Sequence, residues 1–141
     1  MLKYKGNDLY NKEMEELRSN YARWKAFKKE SGSTFFMIYT DFKDSHLKDI
    51  SGGALKLYVY LCFHVNNFTG ECWHSVDSIA DFFGNDPRTV KGWFAELEDR
   101  KLIIRIQKGY KRIANTFLLP YSKENIDGGK EDGTNSGTKP E

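Results

Sequence analysis

The segment Gly84-Asn85-Asp86-Pro87 constrains the fold of this chain more than any other. Glycine readily takes the left-handed conformation that ends many helices, whereas Asp followed by Pro is favoured as the N-cap and first residue of a helix. One helix therefore ends and another begins within four residues. We predict two helices joined by a tight turn at this point of the chain.

Both predicted helices have apolar residues at intervals of three and four, which is typical of helices with one buried face. Ser75 is a capping residue at the start of the earlier helix, and the later helix is expected to end near Arg100. The residues predicted to face the core are Val76, Ile79, Ala80 and Phe83 in the earlier helix and Val90, Trp93 or Phe94, and Leu97 in the later one.

Another core helix precedes this pair, and two strands follow it. Ser51 caps the preceding helix, and Glu71 to Trp73 is predicted to form a very short strand. Leu102 to Ile106 and Asn115 to Leu119 have the apolar and β-branched composition of strands, and the basic turn Gln107 to Arg112 joins them. These elements predict an α+β domain with three core helices and a β-hairpin.

The chain is expected to divide into three parts. Residues 1–34 favour a helical extension, residues 35–121 contain the domain, and residues 122–141 are so rich in small, polar and charged residues that we expect a disordered tail. Phe35 to Phe42 is aromatic and β-branched. This composition predicts a strand or extended arm with large side chains buried against the domain, followed by a polar turn through Asp44 to His46.

A stripe of apolar residues runs along the predicted N-terminal helix. Tyr10, Met14, Leu17, Tyr21 and Trp24 follow one another at alternating intervals of four and three. Two interpretations are open: the stripe packs on the chain's own domain, or it forms a short helical seam with a second copy. The pattern runs for less than three heptads, which limits the length of such a seam.

Positive charge is concentrated in two parts of the chain. The net charge is only +2, from 22 Lys and Arg against 20 Asp and Glu. Residues 1–34 contain eight cations and five anions, however, and residues 86–113 contain eight and four. Clustering of this kind is typical of a surface that binds a polyanion.

Sequence motifs for catalysis, cofactors and membrane insertion are absent. There is no nucleophile elbow, phosphate-cradling glycine loop or paired-carboxylate motif, so we expect neither enzymatic activity nor a cofactor. The pair Gly52 and Gly53 is expected instead to let a helix begin close to a neighbouring backbone. No apolar run approaches the roughly 20 residues of a membrane span and no signal peptide is recognisable, which favours a cytoplasmic protein without membrane contact.

Two cysteines and two histidines are spaced as Cys-x-His, seven residues, Cys-x-His, a pattern that invites a zinc interpretation. Cys62 and His64 are two residues apart on a predicted helix and so point about 200° apart, which argues against a shared ion. We therefore expect no metal. The cysteines should be reduced thiols, buried at Cys62 and exposed at Cys72, and His64 and His74 ordinary histidines.

The order of elements is that of a winged helix-turn-helix. A DNA major groove about 12 Å wide accepts one helix, and the adjoining phosphates accept cations, hydroxyls and helix N-terminal amides. Long cations on a protruding hairpin suit phosphate or minor-groove contact, and Gly109 is expected to allow the turn of this hairpin. The predicted DNA-binding residues are Pro87, Arg88, Thr89, Lys91 and Gly92 in the helix after Asp86, and Lys108, Tyr110, Lys111 and Arg112 in the hairpin.

The run Val76 to Lys91, continuing into Glu96-Leu97 and Leu102-Ile103, resembles the signature of bacterial winged-helix proteins. A narrower resemblance links residues 35–121 to the N-terminal domains of plasmid replication initiators and to phage replisome-organiser proteins. It is carried by Phe35 to Tyr39, Leu47 to Ser51, Ala54 to Tyr58, Gly70 to Ser75 and Asn115 to Leu118.

This resemblance implies site-specific binding of duplex DNA at an origin or operator, usually by more than one copy. Gly92 stands where such recognition helices often carry a basic residue, and the long downstream region of full initiators is missing, which favours an accessory or stand-alone factor. The expected role is replication or its regulation for a plasmid, phage or other mobile element. The expected partners are double-stranded DNA, a second copy through the N-terminal helix, and replication proteins.

Three alternatives stay open at this point. In the first alternative, the protein is a transcriptional regulator. In the second, it is a winged-helix scaffold that holds replication proteins together. In the third alternative, it binds single-stranded DNA, with Trp73 and Tyr110 stacking on bases and the hairpin cations following the backbone.

Overall fold

A computed structural model describes Leu2 and residues 4–121, which divide into two compact units between Phe35 and Phe36. The first unit contains one long helix, α1 (Asn7–Glu30). The predicted disordered tail, residues 122–141, lies outside the described residues. Among the described residues, no helix is long and apolar enough to cross a membrane.

Helix α1 lies within residues 1–34, where the sequence favours a helical extension, but none of its residues is buried. Tyr10, Leu17, Tyr21 and Trp24 of the apolar stripe each expose more than half of their surface. The rings of Tyr21 and Trp24 lie side by side, with their centroids 5.7 Å apart. The stripe is therefore a continuous apolar surface along α1, and Leu9 and Phe27 are further exposed apolar residues of this helix.

The second unit contains the three predicted core helices, α2 (Gly52–His64), α3 (Val76–Phe83) and α4 (Pro87–Asp99). All three begin at the capping residues that the sequence indicates. Ser51 Oγ accepts from the Ala54 amide at 3.2 Å, Ser75 Oγ from Ser78 at 3.1 Å, and Asp86 Oδ1 from Arg88 at 2.8 Å.

The turn between α3 and α4 is built as predicted. Gly84 ends α3 with φ +70°, in the left-handed region, and the Asn85 amide donates to the carbonyl of Ala80 at 3.0 Å. Pro87 is the first residue of α4, where its missing N–H is not needed. The predicted helix-turn-helix pair is thus confirmed, with its local signals at the predicted residues.

Three strands form one antiparallel sheet in the order β1-β3-β2. They are β1 (Glu71–Cys72), β2 (Ile103–Gln107) and β3 (Ala114–Leu118). The register runs from Ile103 opposite Leu118 to Gln107 opposite Ala114. We call β2, β3 and the residues between them the wing, and together with the three helices it confirms the predicted α+β winged-helix fold.

The core lies where α2, α3 and α4 meet the inner face of the sheet. Phe94, not Trp93, is the fully buried aromatic of α4, which settles the choice that the periodicity left open. Glu96 joins α4 to the start of α2, because it accepts hydrogen bonds from the amide and hydroxyl of Ser51 at 2.7 and 2.6 Å. These two hydrogen bonds lower the pKa of the Glu96 carboxyl. The residues of the core are Phe42, Ile50, Ala54, Leu57, Tyr58, Tyr60, Leu61, Cys62, Cys72, Ile79, Ala80, Val90, Phe94, Leu97, Leu102 and Ile103.

The prediction for Phe35 to Phe42, a strand or an extended arm with its large side chains buried, is correct only in part. Phe36 to Tyr39 form no strand, although the Tyr39 amide donates to Tyr121 Oη at 2.6 Å. Phe42 is buried and Phe36 is partly buried, whereas Phe35 and Met37 expose 78% and 64% of their surface. Aromatic and β-branched residues favour a strand only where a neighbouring strand pairs with them.

The polar turn that was expected to follow is a single π-helical turn, Lys43–Leu47. It is tied to the end of α4 by Arg100, which donates to the carbonyl of Ser45 and to His46 Nδ1, both at 3.1 Å. Burial lowers the pKa of His46, and the charge of Arg100 lowers it further. This part of the chain therefore anchors α4 at the end opposite to Asp86.

The expectation for Cys72 is also wrong, because this residue is 2% exposed. It lies in β1, where it pairs with the buried Thr116 and faces the core. Cys62 is buried as predicted, and burial raises the pKa of its thiol to about 11. A strand of two residues is too short for its inward face to be read from sequence alternation.

Gly53 approaches a side chain where a backbone was expected. A β-carbon on Gly53 would lie 2.0 Å from Nε1 of the Trp93 indole, whereas one on Gly52 would meet nothing within 4 Å. The glycine is therefore required by helix packing, because the α4 indole occupies the space of its missing side chain. Sequence spacing gives no signal for this contact, since the two residues are far apart in the chain.

Candidate nucleic-acid interface

The first turns of α4 present a polar surface, and the opposite side of the helix is locked into the core. Val90 and Phe94 are buried, which turns Arg88, Lys91 and Gly92 outward. The α4 residues predicted to bind DNA are all exposed: Pro87, Arg88, Thr89, Lys91 and Gly92. The side chains at the tip of the helix are therefore open to a ligand, while Asp86 already accepts from the amides of Arg88, Thr89 and Val90.

Several cations of this domain are engaged within the protein. The Arg105 guanidinium lies 4.1 Å from the centre of the Phe94 ring, and its Nε donates to Thr116 Oγ1 at 3.3 Å. Lys56 lies over the rings of Phe83 and Trp93. Arg105, like Arg100, holds elements together through these contacts, whereas Lys56 is exposed and lies against rings of α3 and α4.

A second group of cations has no such role. In the described part of the chain, the side chains of Arg88, Lys91, Lys108 and Arg112 make no ion pair and no hydrogen bond. All four are exposed. The structure thus separates cations that stabilise the fold from cations that are open to solvent, a distinction that charge counting cannot make.

The position of Arg88 and Lys91 is unfavourable for the helix itself. The N-terminal end of a helix carries partial positive charge, so a cation there costs a few tenths of a kcal/mol and an anion is favoured. The first turn of α4 nevertheless contains no acidic residue. The carboxylate at this end of α4 is that of the N-cap Asp86, and the two exposed cations beside it favour a nearby anion such as a phosphate.

The outward face of α4 also contains two small residues, and the sequence-based prediction included only the first of them, Gly92. Gly92 and Ala95 are both exposed and continue the line that Arg88 begins, at intervals of four and three. A β-carbon on Gly92 would meet nothing within 4 Å. Packing therefore does not require this glycine. A glycine inside a helix lowers the stability of the helix by about 1 kcal/mol relative to alanine, so Gly92 does not stabilise the fold either. Ala95 was missed, and the spacing from Arg88 was the signal that could have found it.

The wing presents the second set of predicted residues, which are exposed: Lys108, Tyr110, Lys111 and Arg112. Tyr110 exposes 88% of its surface, and Lys111 Nζ lies 5.5 Å from the centre of its ring. Gly109 accepts hydrogen bonds from the Gln107 side chain at 2.9 Å and from the Arg112 amide at 3.0 Å.

The left-handed residue of this turn is Lys111, with φ +63°, and not Gly109 as expected. The Gly109 carbonyl accepts the hydrogen bond that closes the turn. The residue with positive φ is Lys111, two positions later in the chain. At the base of the wing, the stacking of Arg105 on Phe94 fixes β2 against α4. The wing cations are therefore held on the same folded unit as the tip of α4.

The cysteines and histidines do not form a cluster in the described residues that could hold a metal ion. Cys62 is buried while His64 is exposed, so the two point apart as the helix geometry predicts. The rings of His64 and His74 lie 4.5 Å apart, and Tyr60 Oη is 2.6 Å from Nδ1 of His74. This group is an aromatic cluster between α2 and the residues just before α3.

Comparisons with known proteins bear on the helical part of this unit. Residues 48–103 match the family model of a helix-turn-helix domain. No curated protein sequence matches the chain. Among solved structures, a chain described as "Structure of Rep-DNA complex" is similar over 77% of this chain and 93% of its own length, with 16% identity and a TM-score of 0.49. A second, "N-Terminal domain of DNA binding protein", covers 77% and 92% with 14% identity and a TM-score of 0.45.

The matched segment contains α2, α3, the tight turn and α4, and it ends at the first residue of β2. Helix-turn-helix domains place the second helix of the pair against DNA, and α4 is the second helix of this pair. Residues 48–103 are thus similar to helix-turn-helix domains, and with the wing that follows the fold is that of a winged helix.

Proposed function

We propose that this protein binds duplex DNA at specific sites, with the start of α4 in the major groove and the wing on the adjoining backbone. One observation carries the proposal. The tip of α4 exposes Arg88 and Lys91, and the side chains of both cations make no hydrogen bond or ion pair within the described residues. Such a tip suits a helix that inserts between two rows of phosphates.

The shape of α4 supports insertion into the groove. A helix with its side chains is about 10–12 Å wide, close to the width of the major groove. Small residues at Gly92 and Ala95 let the helix axis approach the base edges, and Arg88 reaches ahead of them. The guanidinium of Arg88 can bind guanine O6 and N7 with two hydrogen bonds, which is the commonest specific contact in protein–DNA complexes.

Charge in the wing supplies contacts of a second kind. Lys108, Lys111 and Arg112 are long, exposed and close together in the chain, so they suit phosphate contacts that do not depend on sequence. Tyr110, almost fully exposed, suits packing against a sugar. With Arg88 and Lys91, five cations face the DNA in this arrangement. Binding should therefore weaken with salt, with a slope of at most about −4.5 in log K against log[salt].

The biological role that we propose is replication, or its regulation, for a plasmid, phage or other mobile element. This part rests on the resemblance of residues 35–121 to initiator and replisome-organiser domains. In that role the protein would bind repeated sites at an origin. The same interface would serve a transcriptional regulator at an operator, so the bound sequence distinguishes the two roles.

The experiment that tests this function is selection of duplexes from a random pool at near-physiological salt, with a single-stranded competitor present. We expect enrichment of one motif, and repeats of that motif in an origin of a mobile element would support the replication role. Enrichment of the competitor would instead indicate single-strand binding, and recovery of no motif would contradict site-specific binding.

A substitution at Gly92 tests the close approach of α4. Gly92→Ala should raise the free energy of unfolding by about 0.5–1 kcal/mol, because alanine favours helix and the space around the position is empty. Gly92→Gln should be similarly tolerated by the fold but should weaken duplex binding by about 1–3 kcal/mol, because a long side chain keeps the helix away from the bases. Thermal unfolding and a fluorescence binding titration measure the two effects. Unchanged affinity of the glutamine variant would place Gly92 outside the interface.

A further inference from the structure

Helix α1 has an apolar stripe that its own unit leaves open to solvent. Tyr10, Leu17, Tyr21 and Trp24 expose between 52% and 61% of their surface, and Met14 continues the stripe between them. Large apolar side chains in one continuous line on a helix are typical of a surface that another helix covers. The stripe follows the alternating spacing of a coiled-coil seam.

Charge is distributed unevenly along the same helix. The N-terminal half, residues 7–16, contains four acidic residues and one lysine, so its net charge is −3. The C-terminal half, residues 18–30, contains five cations and one glutamate, so its net charge is +4. The two halves of α1 are therefore complementary to each other in charge, and their similar lengths allow two such helices to overlap fully when they run in opposite directions.

We propose that α1 binds α1 of a second copy of this chain as an antiparallel helix pair, and that the protein is a dimer through this seam. Each acidic half then lies beside the basic half of the partner. In a parallel pair, like-charged halves would lie side by side, and Lys28, which follows Trp24 on the stripe, would face the same residue of the partner. Like charges across a seam are destabilising.

The antiparallel arrangement fixes which residues meet. With the two helices fully overlapped, Leu17 lies opposite the partner's Tyr21, Met14 opposite the partner's Trp24, and Tyr10 opposite the partner's Lys28. A lysine can lay its apolar stem along an aromatic ring while its ammonium group stays in solvent. The seam is short, so we expect a weak dimer that dissociates on dilution.

The first test compares two glutamate substitutions on opposite sides of α1. Leu17→Glu places a charge in the seam, whereas Ser19→Glu places the same charge about 180° away, on the polar side of the helix. In sedimentation velocity over a wide range of concentrations, wild type and Ser19→Glu should approach twice the 16.4 kDa mass of one chain. Leu17→Glu should stay at the mass of one chain with unchanged helical content by circular dichroism. A monomeric wild type, or equal association of both variants, would overturn the proposal.

The orientation is tested by reversing charge in one half of α1. The variant Lys25→Glu, Lys28→Glu, Lys29→Glu changes the C-terminal half from +4 to −2. In an antiparallel pair it should lose self-association, because acidic halves now meet. Mixing it with the complementary variant Glu13→Lys, Glu15→Lys, Glu16→Lys should give a mixed dimer, which also shows that both variants remain folded. Undiminished self-association of the first variant, or no mixed dimer, would contradict antiparallel pairing.

Discussion

Arg88→Glu combined with Lys91→Glu is expected to abolish specific duplex binding at near-physiological salt. The change removes the two cations at the tip of α4 and puts two carboxylates against the phosphates of the groove. Each well-formed contact to a base or phosphate is worth about 1–3 kcal/mol, so the combined loss should exceed 3 kcal/mol, or roughly a hundredfold in affinity. A mobility-shift or fluorescence titration with the selected duplex measures this loss.

The fold should tolerate the same double substitution. Both side chains are exposed, and acidic residues at the start of a helix are favoured by its dipole. The melting temperature should therefore be unchanged or slightly raised. A variant that binds DNA as wild type would remove α4 from the interface.

A matched control reverses two cations elsewhere in the same unit. Lys43 and Lys48 are exposed, at the first residue of the π-helical turn and just after its last one, and Arg100 ties this turn to the far end of α4. Arg88 and Arg100 are twelve residues apart, or about 18 Å along the helix axis. Lys43→Glu with Lys48→Glu therefore changes the net charge equally but should leave most of the affinity. Equal losses in both variants would mean that net charge, not the α4 tip, governs binding.

The wing provides a contrast with α4. Replacing Lys108, Lys111 and Arg112 by alanine should weaken binding to all duplexes alike and reduce the salt slope by about 0.9 for each phosphate that the wing no longer neutralises. Sequence preference should persist, because phosphate contacts position the protein and base contacts specify the site. Reversal of the α4 cations should instead remove the preference itself.

The second large effect is expected in stability. Gly53→Ala should lower the free energy of unfolding by about 1–3 kcal/mol, because the new methyl group would overlap the Trp93 indole, 2.0 Å from Nε1. In a domain of this size the melting temperature should fall by about 4–8 °C for each kcal/mol. Thermal and urea unfolding measure the change.

The neighbouring glycine supplies the control. Gly52→Ala adds the same methyl group one residue earlier in α2, where nothing lies within 4 Å, and should leave stability unchanged or slightly higher. In the double variant Gly53→Ala, Trp93→Ala the overlap is removed, so the two losses should not add. Additive losses would show that Gly53 acts through something other than the indole.

Local chemistry was sufficient to predict most of the winged helix. Ser51, Ser75 and Asp86 begin helices because their side chains accept amides of the first turn, and Gly84 ends one because it tolerates positive φ. Apolar spacing identified the buried faces of α3 and α4, and the composition of β2 and β3 identified the hairpin. All of these signals act within a few residues of one another, which is why they can be read from the chain.

Contacts between distant residues account for what the sequence did not predict. Phe36 to Tyr39 have strand composition but gain no neighbouring strand, and Cys72 is buried because β1 is paired with β3. Such contacts also decide whether a cation stabilises the fold. Arg105 does so because it stacks on Phe94, whereas Arg88 is exposed to solvent.

The sequence by itself thus determined where the helices of the helix-turn-helix begin and end, and that basic residues accumulate at α4 and the wing. Only the tertiary structure decided which of those cations are available to a partner. It also decided that the Trp93 indole lies where a side chain of residue 53 would be, so that this residue is glycine. The physical reason is one of range. Capping and periodicity are energies between near neighbours in the chain, whereas burial and side-chain partners are set when α2, α4 and the sheet come together.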